Sequence, residues 1–148
     1  MHRLPLVVAS VAALPAVTDP LWRRLLSVPE LVEYGSRRRA GEHLTARAMA
    51  RLALASALGW PGEVPWQELA IRKEPSGRPV VVLSGGLAEW CREAGLPVPA
   101  VSLTHAAGHA AALAWLPGQP SPGLRIPELV AAYPLAGTQV PREPGTQP

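Results

Sequence analysis

Short apolar runs alternate with turn-forming clusters along most of this chain, and their lengths sort them into strands and helices. Leu6 to Val11 is a brief apolar run bracketed by Pro5 and Pro15, which predicts a buried strand. Its alternative is a short secretory leader, since Met1-His2-Arg3 precedes apolar and small residues from Leu4 to Val17. The strand is preferred because the prolines confine the run. Thr18-Asp19-Pro20 opens a short helix from Leu21 to Leu26, with Asp19 able to cap free amides and Pro20 suited to the first turn. Ser27-Val28-Pro29-Glu30 is a capping box and predicts a helix from Val28 to Tyr34. A longer helix runs from Glu42 to Leu58 and stops at Gly59, with Leu44, Met49, Leu52, Leu54, Ala55 and Leu58 covering most of one side.

The second half reads differently. Leu69 to Lys73 and Pro79 to Leu83 flank Glu74-Pro75-Ser76-Gly77-Arg78, a hairpin-length loop in which Gly77 supplies the turn. Gly85-Gly86 precedes a helix from Leu87 to Ala94, and Val101–Thr104 with Ala110–Leu116 form a further hairpin around His105 to His109. From there the chain is Pro-rich, with a turn or two of helix between Pro127 and Tyr133 and a partly disordered end. The order predicts an α+β domain over residues 1–118, with a small, mainly antiparallel sheet packed on the long helix, and a tail over 119–148.

Composition narrows the chemistry. A chain of 148 residues is long enough for one real core, yet it has no Phe and 18 Pro, so aliphatic residues, alanine and Trp must fill that core. The single cysteine, Cys91, excludes an internal disulfide and a multi-Cys metal cage, and reads as a small buried hydrophobe. Lys73 is the only lysine and Asp19 the only aspartate, so the net charge of +3 is an arginine charge. Few acids are free to surround a hard divalent cation, so no metal site is expected. No aromatic interleaving accompanies the arginines, which argues against nucleic acid, and no run reaches the length of a membrane span. The chain is therefore read as cytoplasmic. His105 and His109 have the spacing of a helical zinc pair but straddle a turn with no acid near them in sequence. Glu42 and His43 read as a solvated helix terminus, and Arg37-Arg38-Arg39 as a solvated charge run.

The long helix carries a resemblance. Arg47, Ala50, Ala53, Ala57, Leu58 and Gly59 fall in register with the Arg-Phe-Ala-Ala-Lys-Glu-Ala-x-x-Lys-Ala-Leu-Gly helix of the holo-acyl-carrier-protein synthases, the small phosphopantetheinyl transferases. Leu26-Ser27-Val28-Pro29-Glu30-Leu31 is similar to that family's Leu-Thr-Pro-x-Glu-Leu segment, and Pro65 to Ile71 to its Trp-x-Asp-Ile-Glu-Val strand. Ser76-Gly77-Arg78-Pro79 resembles its Gly-Arg/Lys-Pro loop, and Val101-Ser102-Leu103-Thr104-His105 its Val-Ser-Ile-Ser-His strand. These motifs occur in family order across roughly residues 6 to 116. The resemblance implies the phosphopantetheinyl transferase fold, an acyl carrier protein as partner, coenzyme A or a carrier's phosphopantetheine arm as ligand, and a homotrimer with sites between subunits. It also implies cofactor contacts from Arg47, Arg51, Ser76, Gly77, Arg78, Pro79 and Ser102, with His105 as the catalytic candidate. Trp22, Arg23 and Arg24 fall where the family docks its carrier protein.

The chain departs from the pattern where the family binds magnesium. Leu52 stands at the position of the helix glutamate, Ser56 at that of the second lysine, and Ser10 at that of the strand aspartate, in a pocket these three residues are expected to share with His105. A hydroxyl and a hydrocarbon do not replace two carboxylates around a hard cation. The expectation is a divergent member, acting in polyketide or fatty-acid biosynthesis on the carrier-tethered acyl chain rather than transferring phosphopantetheine. A non-catalytic carrier-binding pseudoenzyme and an active synthase with a rebuilt site are the alternatives.

Overall fold

The computed structural model describes residues 5–118, and the tail over 119–148 lies outside the described residues. Eleven elements follow one another among the described residues. They are β1 (Leu6–Ser10), a 3-10 turn (Val11–Ala13), α1 (Trp22–Leu25), α2 (Val28–Tyr34), α3 (Ala40–Leu58), a second 3-10 turn (Trp66–Glu68), β2 (Leu69–Lys73), β3 (Pro79–Leu83), α4 (Gly85–Glu93), β4 (Ala100–Ala106) and β5 (His109–Trp115). The strands form a three-stranded antiparallel sheet in the order β1-β5-β4 and a separate β2-β3 hairpin. The architecture is the expected α+β one.

Alanine sets the geometry of the core. α3 crosses the sheet over its central strand, where Ala110, Ala112 and Ala114 share one buried face, and presents buried Ala48, Ala50 and Ala53 of its own. Small side chains on both surfaces bring helix and strand close, and Leu44, Leu54, Leu58, Trp22 and Leu69 fill the space around that contact. β4 and β5 join through Ala107 and Gly108, both at positive φ (53° and 78°), the two-residue hairpin turn whose twist matches that of paired strands.

Local chemistry explains the helix ends. The Ser27 amide donates to Glu30 Oε1 (3.1 Å) and the Glu30 amide to Ser27 Oγ (3.4 Å), so the capping box forms as the sequence predicts. α4 is started differently. Glu68 reaches across from the 3-10 turn and accepts from the Leu87 amide at 2.8 Å. Gly85, at φ +59°, lies so near that carboxylate that a Cβ would come within 2.6 Å of Glu68 Oε2. Gly59 closes α3 in the left-handed conformation, as expected.

Trp22 corrects one expectation. It is 1% exposed and its indole Nε1 donates to the Ala16 carbonyl at 3.0 Å, so it anchors α1 in the core and offers no docking surface. Its neighbours Arg23 and Arg24 are exposed. No helix among the described residues is long and apolar enough to cross a membrane.

Candidate functional site

The first turn of α3 and the end of β4 meet at the β4-β5 hairpin. There Glu42 Oε1 contacts His105 Nδ1 at 2.9 Å, while Glu42 Oε2 accepts from the Gly108 amide at 2.9 Å. Glu42 is 8% exposed, so it is not the solvated helix end expected from the sequence. Burial pushes its carboxyl up. The hydrogen bonds from His105 and Gly108 and the charges of His105 and Arg39 outweigh that, and hold it below the ordinary 4.5. With Nδ1 fixed by a carboxylate, the His105 ring has one orientation and Nε2 left for proton exchange, the arrangement of an acid–base histidine.

The pair belongs to a longer polar seam. The His43 ring stands edge-on to His105, with centroids 4.3 Å apart, and stacks on Tyr34 at 5.2 Å. Burial pushes the His43 imidazole below its usual 6.5, and the nearby charges of His105, Arg37 and Arg47 push the same way against an opposing Glu42. Arg47 lies over the Tyr34 ring at 4.2 Å and donates to its hydroxyl at 2.6 Å. Behind it, both Arg47 and Arg51 donate to the buried carboxylate of Glu30. His43, Arg47 and Arg51 thus form an i, i+4, i+8 polar stripe along α3.

This seam walls a cavity of about 170 Å³, lined by Tyr34, His43, Ala46, Arg47, Lys73, Gly77, Pro79, Leu103 and His105. A groove of about 570 Å³ between α2 and β2 adjoins it, sharing Tyr34, Arg47 and Lys73. Two guanidiniums face one carboxylate in the Glu30 cluster, so its excess positive charge lies beside Lys73 on the shared wall.

Of the residues singled out by sequence, Arg47, Gly77, Pro79 and His105 come together around the cavity. Ser76 and Arg78 stay on the exposed hairpin loop, with the Arg78 amide donating to Ser76 Oγ at 3.4 Å, and Ser102 is half-buried on β4 away from the lining. Arg51 is fully buried, its guanidinium held by Glu30, the Trp66 carbonyl and the Arg47 carbonyl, so it is a core residue and not a phosphate grip.

Ser10, Leu52 and Ser56 do not share a pocket within one chain. Ser10 pairs with His109 at the hairpin end, whereas Leu52 is roughly 15 Å further along α3 from Glu42 at 1.5 Å per residue, and Ser56 is a turn beyond it on the surface. Leu52 packs half-buried against the core. The magnesium implied by the resemblance therefore finds no fit at these positions. Ser10 Oγ accepts from the Ala12 amide at 3.3 Å, Leu52 offers hydrocarbon, and the nearby acids Glu42 and Glu30 are committed to His105 and to the arginines. Among the described residues no group of three or more His, Cys, Asp or Glu side chains could hold a metal ion.

Sequence reasoning missed Glu42, His43, Tyr34 and Lys73. The polar stripe at every fourth position of α3 is the signal that marks two members of the seam, His43 and Arg47. Glu42 has no such signal, because its partners come from the β4-β5 hairpin.

Comparison with known proteins bears on the family and the fold. No family model matches the chain. It is 37% identical over 105 residues to a holo-acyl-carrier-protein synthase of Streptomyces avermitilis, covering 71% of this chain and 82% of that protein. It is 40% identical over 96 residues to a holo-acyl-carrier-protein synthase of Streptomyces griseus, covering 65% and 79%. The fold matches the Helicobacter pylori holo-acyl-carrier-protein synthase solved in complex with coenzyme A, with a TM-score of 0.64 at 21% identity over 77% of this chain and 99% of that one. The Neisseria meningitidis synthase matches with a TM-score of 0.65 at 20% identity over 75% and 94%.

Proposed function

The chain belongs to the holo-acyl-carrier-protein synthase family, and on that footing we propose that it binds an acyl carrier protein and works on the acyl chain tethered to it. The carrier's phosphopantetheine arm enters the cavity beside His105, and the protein does not transfer phosphopantetheine from coenzyme A. The observation that carries this reading is the Glu42–His105 pair on the wall of a cationic cavity, in a chain whose metal positions hold Ser10 and Leu52. A histidine oriented by a buried carboxylate moves protons without a metal.

The chemistry is a proton transfer at the carbon next to the thioester carbonyl. His105 Nε2 takes that proton, Glu42 steadies the imidazolium, and the ring returns a proton to the same carbon, so only a C–H bond breaks and reforms. Arg47 and Lys73 hold the phosphate of the arm. The exposed Arg23 and Arg24 meet the acidic carrier surface, an attraction that weakens with salt. Assembly as a trimer belongs to the same proposal. Its support is that Leu52 and His105, which the resemblance places in one site, lie far apart along α3 within a single chain.

The test is acyl-loaded carrier protein incubated with the enzyme in deuterium oxide and followed by mass spectrometry. One deuterium should enter the acyl chain, with the rate falling about 100-fold or more in His105→Ala. Apo carrier protein with coenzyme A and magnesium should gain no phosphopantetheine mass. The identity of 37% to 40% with synthases favours a second reading, an active synthase whose site is completed by a neighbouring copy. Robust magnesium-dependent transfer by the native protein would establish it and overturn the first.

A further inference from the structure

The three-stranded sheet has two faces, and strand register assigns every residue to one of them, because directly paired residues point the same way. Val7↔Ala112, Ala9↔Ala110 and Val101↔Ala114 lie on the face under α3. Leu6↔Leu113 and Val8↔Ala111 lie on the other. Among the described residues, the buried side chains of α1, α2, α3 and α4 meet Val7, Ala9, Ala112 and Ala114 in one core cluster. Leu6, Val8, Ala111 and Leu113 do not belong to it. Yet these four are at most 4% exposed, whereas the outer face of a sheet open to water carries polar residues and leaves its apolar ones wet. A second, separate layer of cover is needed to account for them.

The residues after β5 have the position, the reach and the pattern to supply it. β5 is the central strand and ends at Trp115, and the chain then turns at Pro117 and Gly118, whose φ of 97° suits glycine. Residues 119–125, if extended, span about 23 Å, while the Val8↔Ala111 pair lies only about 13 Å back along β5 from Trp115. Beyond them Ile126, Leu129, Val130 and Tyr133 recur at the i, i+3, i+4, i+7 spacing of one apolar helical face, with Pro127 suited to a first turn and Pro134 to a stop. The Helicobacter pylori synthase is matched over 99% of its length by 77% of this chain, so this chain carries length that the shared fold does not require. We propose that the segment 119–148 folds back over the outer sheet face and seats Ile126, Leu129, Val130 and Tyr133 on Leu6, Val8, Ala111 and Leu113. The sheet is then buried on both faces within one chain, with no second copy needed. The inference is independent of the reaction proposed above.

Methyl NMR on the full chain tests this in a sample that mixes isotope-labelled with unlabelled copies, which separates contacts within a chain from contacts between chains. The Leu129 and Val130 methyls should show nuclear Overhauser contacts to the Leu6, Val8 and Leu113 methyls within one chain, independent of protein concentration. Leu129→Asp with Val130→Asp should lower the melting temperature by roughly 5–10 °C, the shift expected when two buried aliphatic side chains are lost from a chain of this size. Val32→Asp, at an exposed position on α2, should change it by less than about 2 °C. Contacts to the Leu6, Val8 and Leu113 methyls that arise only between copies would assign the face to a second copy and overturn the proposal. Free access of a soluble paramagnetic probe to those three methyls, or a melting temperature unmoved by the double substitution, would overturn it as well.

Discussion

Replacing Glu30 by alanine removes a carboxylate that serves the N-terminus of α2 and the centre of the domain at once. It accepts from the Ser27 amide in the capping box, and it is the counter-ion of Arg47 and Arg51, which are 5% and 0% exposed. Losing the cap alone costs about 1 kcal/mol. Stranding a buried charge by deleting its partner costs about 3–5 kcal/mol, and here two guanidiniums are stranded together. Water entering from the adjoining groove relieves part of that, so the expected loss is about 4–6 kcal/mol, a large share of the stability of one small domain. Arg51→Met makes the opposite change to the charge balance. It leaves one guanidinium on one carboxylate and strands only the Trp66 carbonyl, the Arg47 carbonyl keeping its backbone bond within α3, so it should cost about 1–3 kcal/mol. Urea unfolding followed by circular dichroism measures both. A Glu30→Ala protein within about 1 kcal/mol of the parent, or less destabilised than Arg51→Met, would refute the account of this cluster.

Other expectations follow from single contacts. Because Glu42 is held below its ordinary 4.5, it stabilises the fold fully above that pH, and the contribution fades as pH falls through its lower folded value; Glu42→Gln should flatten that acid limb in unfolding experiments. His43, held below 6.5, favours the fold when neutral, so stability should decline as pH falls from 6.5 toward its folded value, and His43→Gln should remove that slope. Gly85→Ala sets a Cβ against Glu68 at positive φ and should cost about 1–3 kcal/mol in thermal denaturation. Arg23→Glu with Arg24→Glu should weaken binding to an acidic carrier protein in low-salt titrations without lowering the melting temperature, whereas Trp22→Ala should cost about 3–5 kcal/mol of stability.

What was legible in the sequence is what local chemistry decides. The capping box at Ser27 and Glu30 places α2 at Val28–Tyr34, and the Glu74–Arg78 loop places both strands of its hairpin, as the structure has them. α3 starts at Ala40, ahead of the expected Glu42, because Arg39 takes a left-handed conformation (φ 61°) as its N-cap, which no side-chain preference announces. Glu42 was illegible for a different reason. Its burial depends on a histidine 63 residues away and on the amide of a hairpin turn, and an acid in the first turn of a helix otherwise suggests only favourable charge at the positive end.

Glu30, Arg47 and Arg51 show how a correct local reading still misassigns a role. The capping box was legible, and so were two arginines one turn apart on the helix after it. The family resemblance alone offered them to a phosphate. Only packing α2 against α3 brings the capping carboxylate onto both guanidiniums, and one carboxylate cannot neutralise two. The cluster therefore does two jobs. Arg51, walled in by Glu30 and two carbonyls, is spent on the core, while Arg47, at the edge of the same cluster, keeps a face on the cavity beside Lys73 and supplies the excess charge. If that division holds, Arg47→Met should abolish pyrophosphate binding while costing less stability than Glu30→Ala. Arg51→Met should leave pyrophosphate binding within about twofold of the parent, since its charge never reaches the cavity. Calorimetric titration of the two variants decides it, and a loss of binding as large in Arg51→Met as in Arg47→Met would return both arginines to the phosphate site.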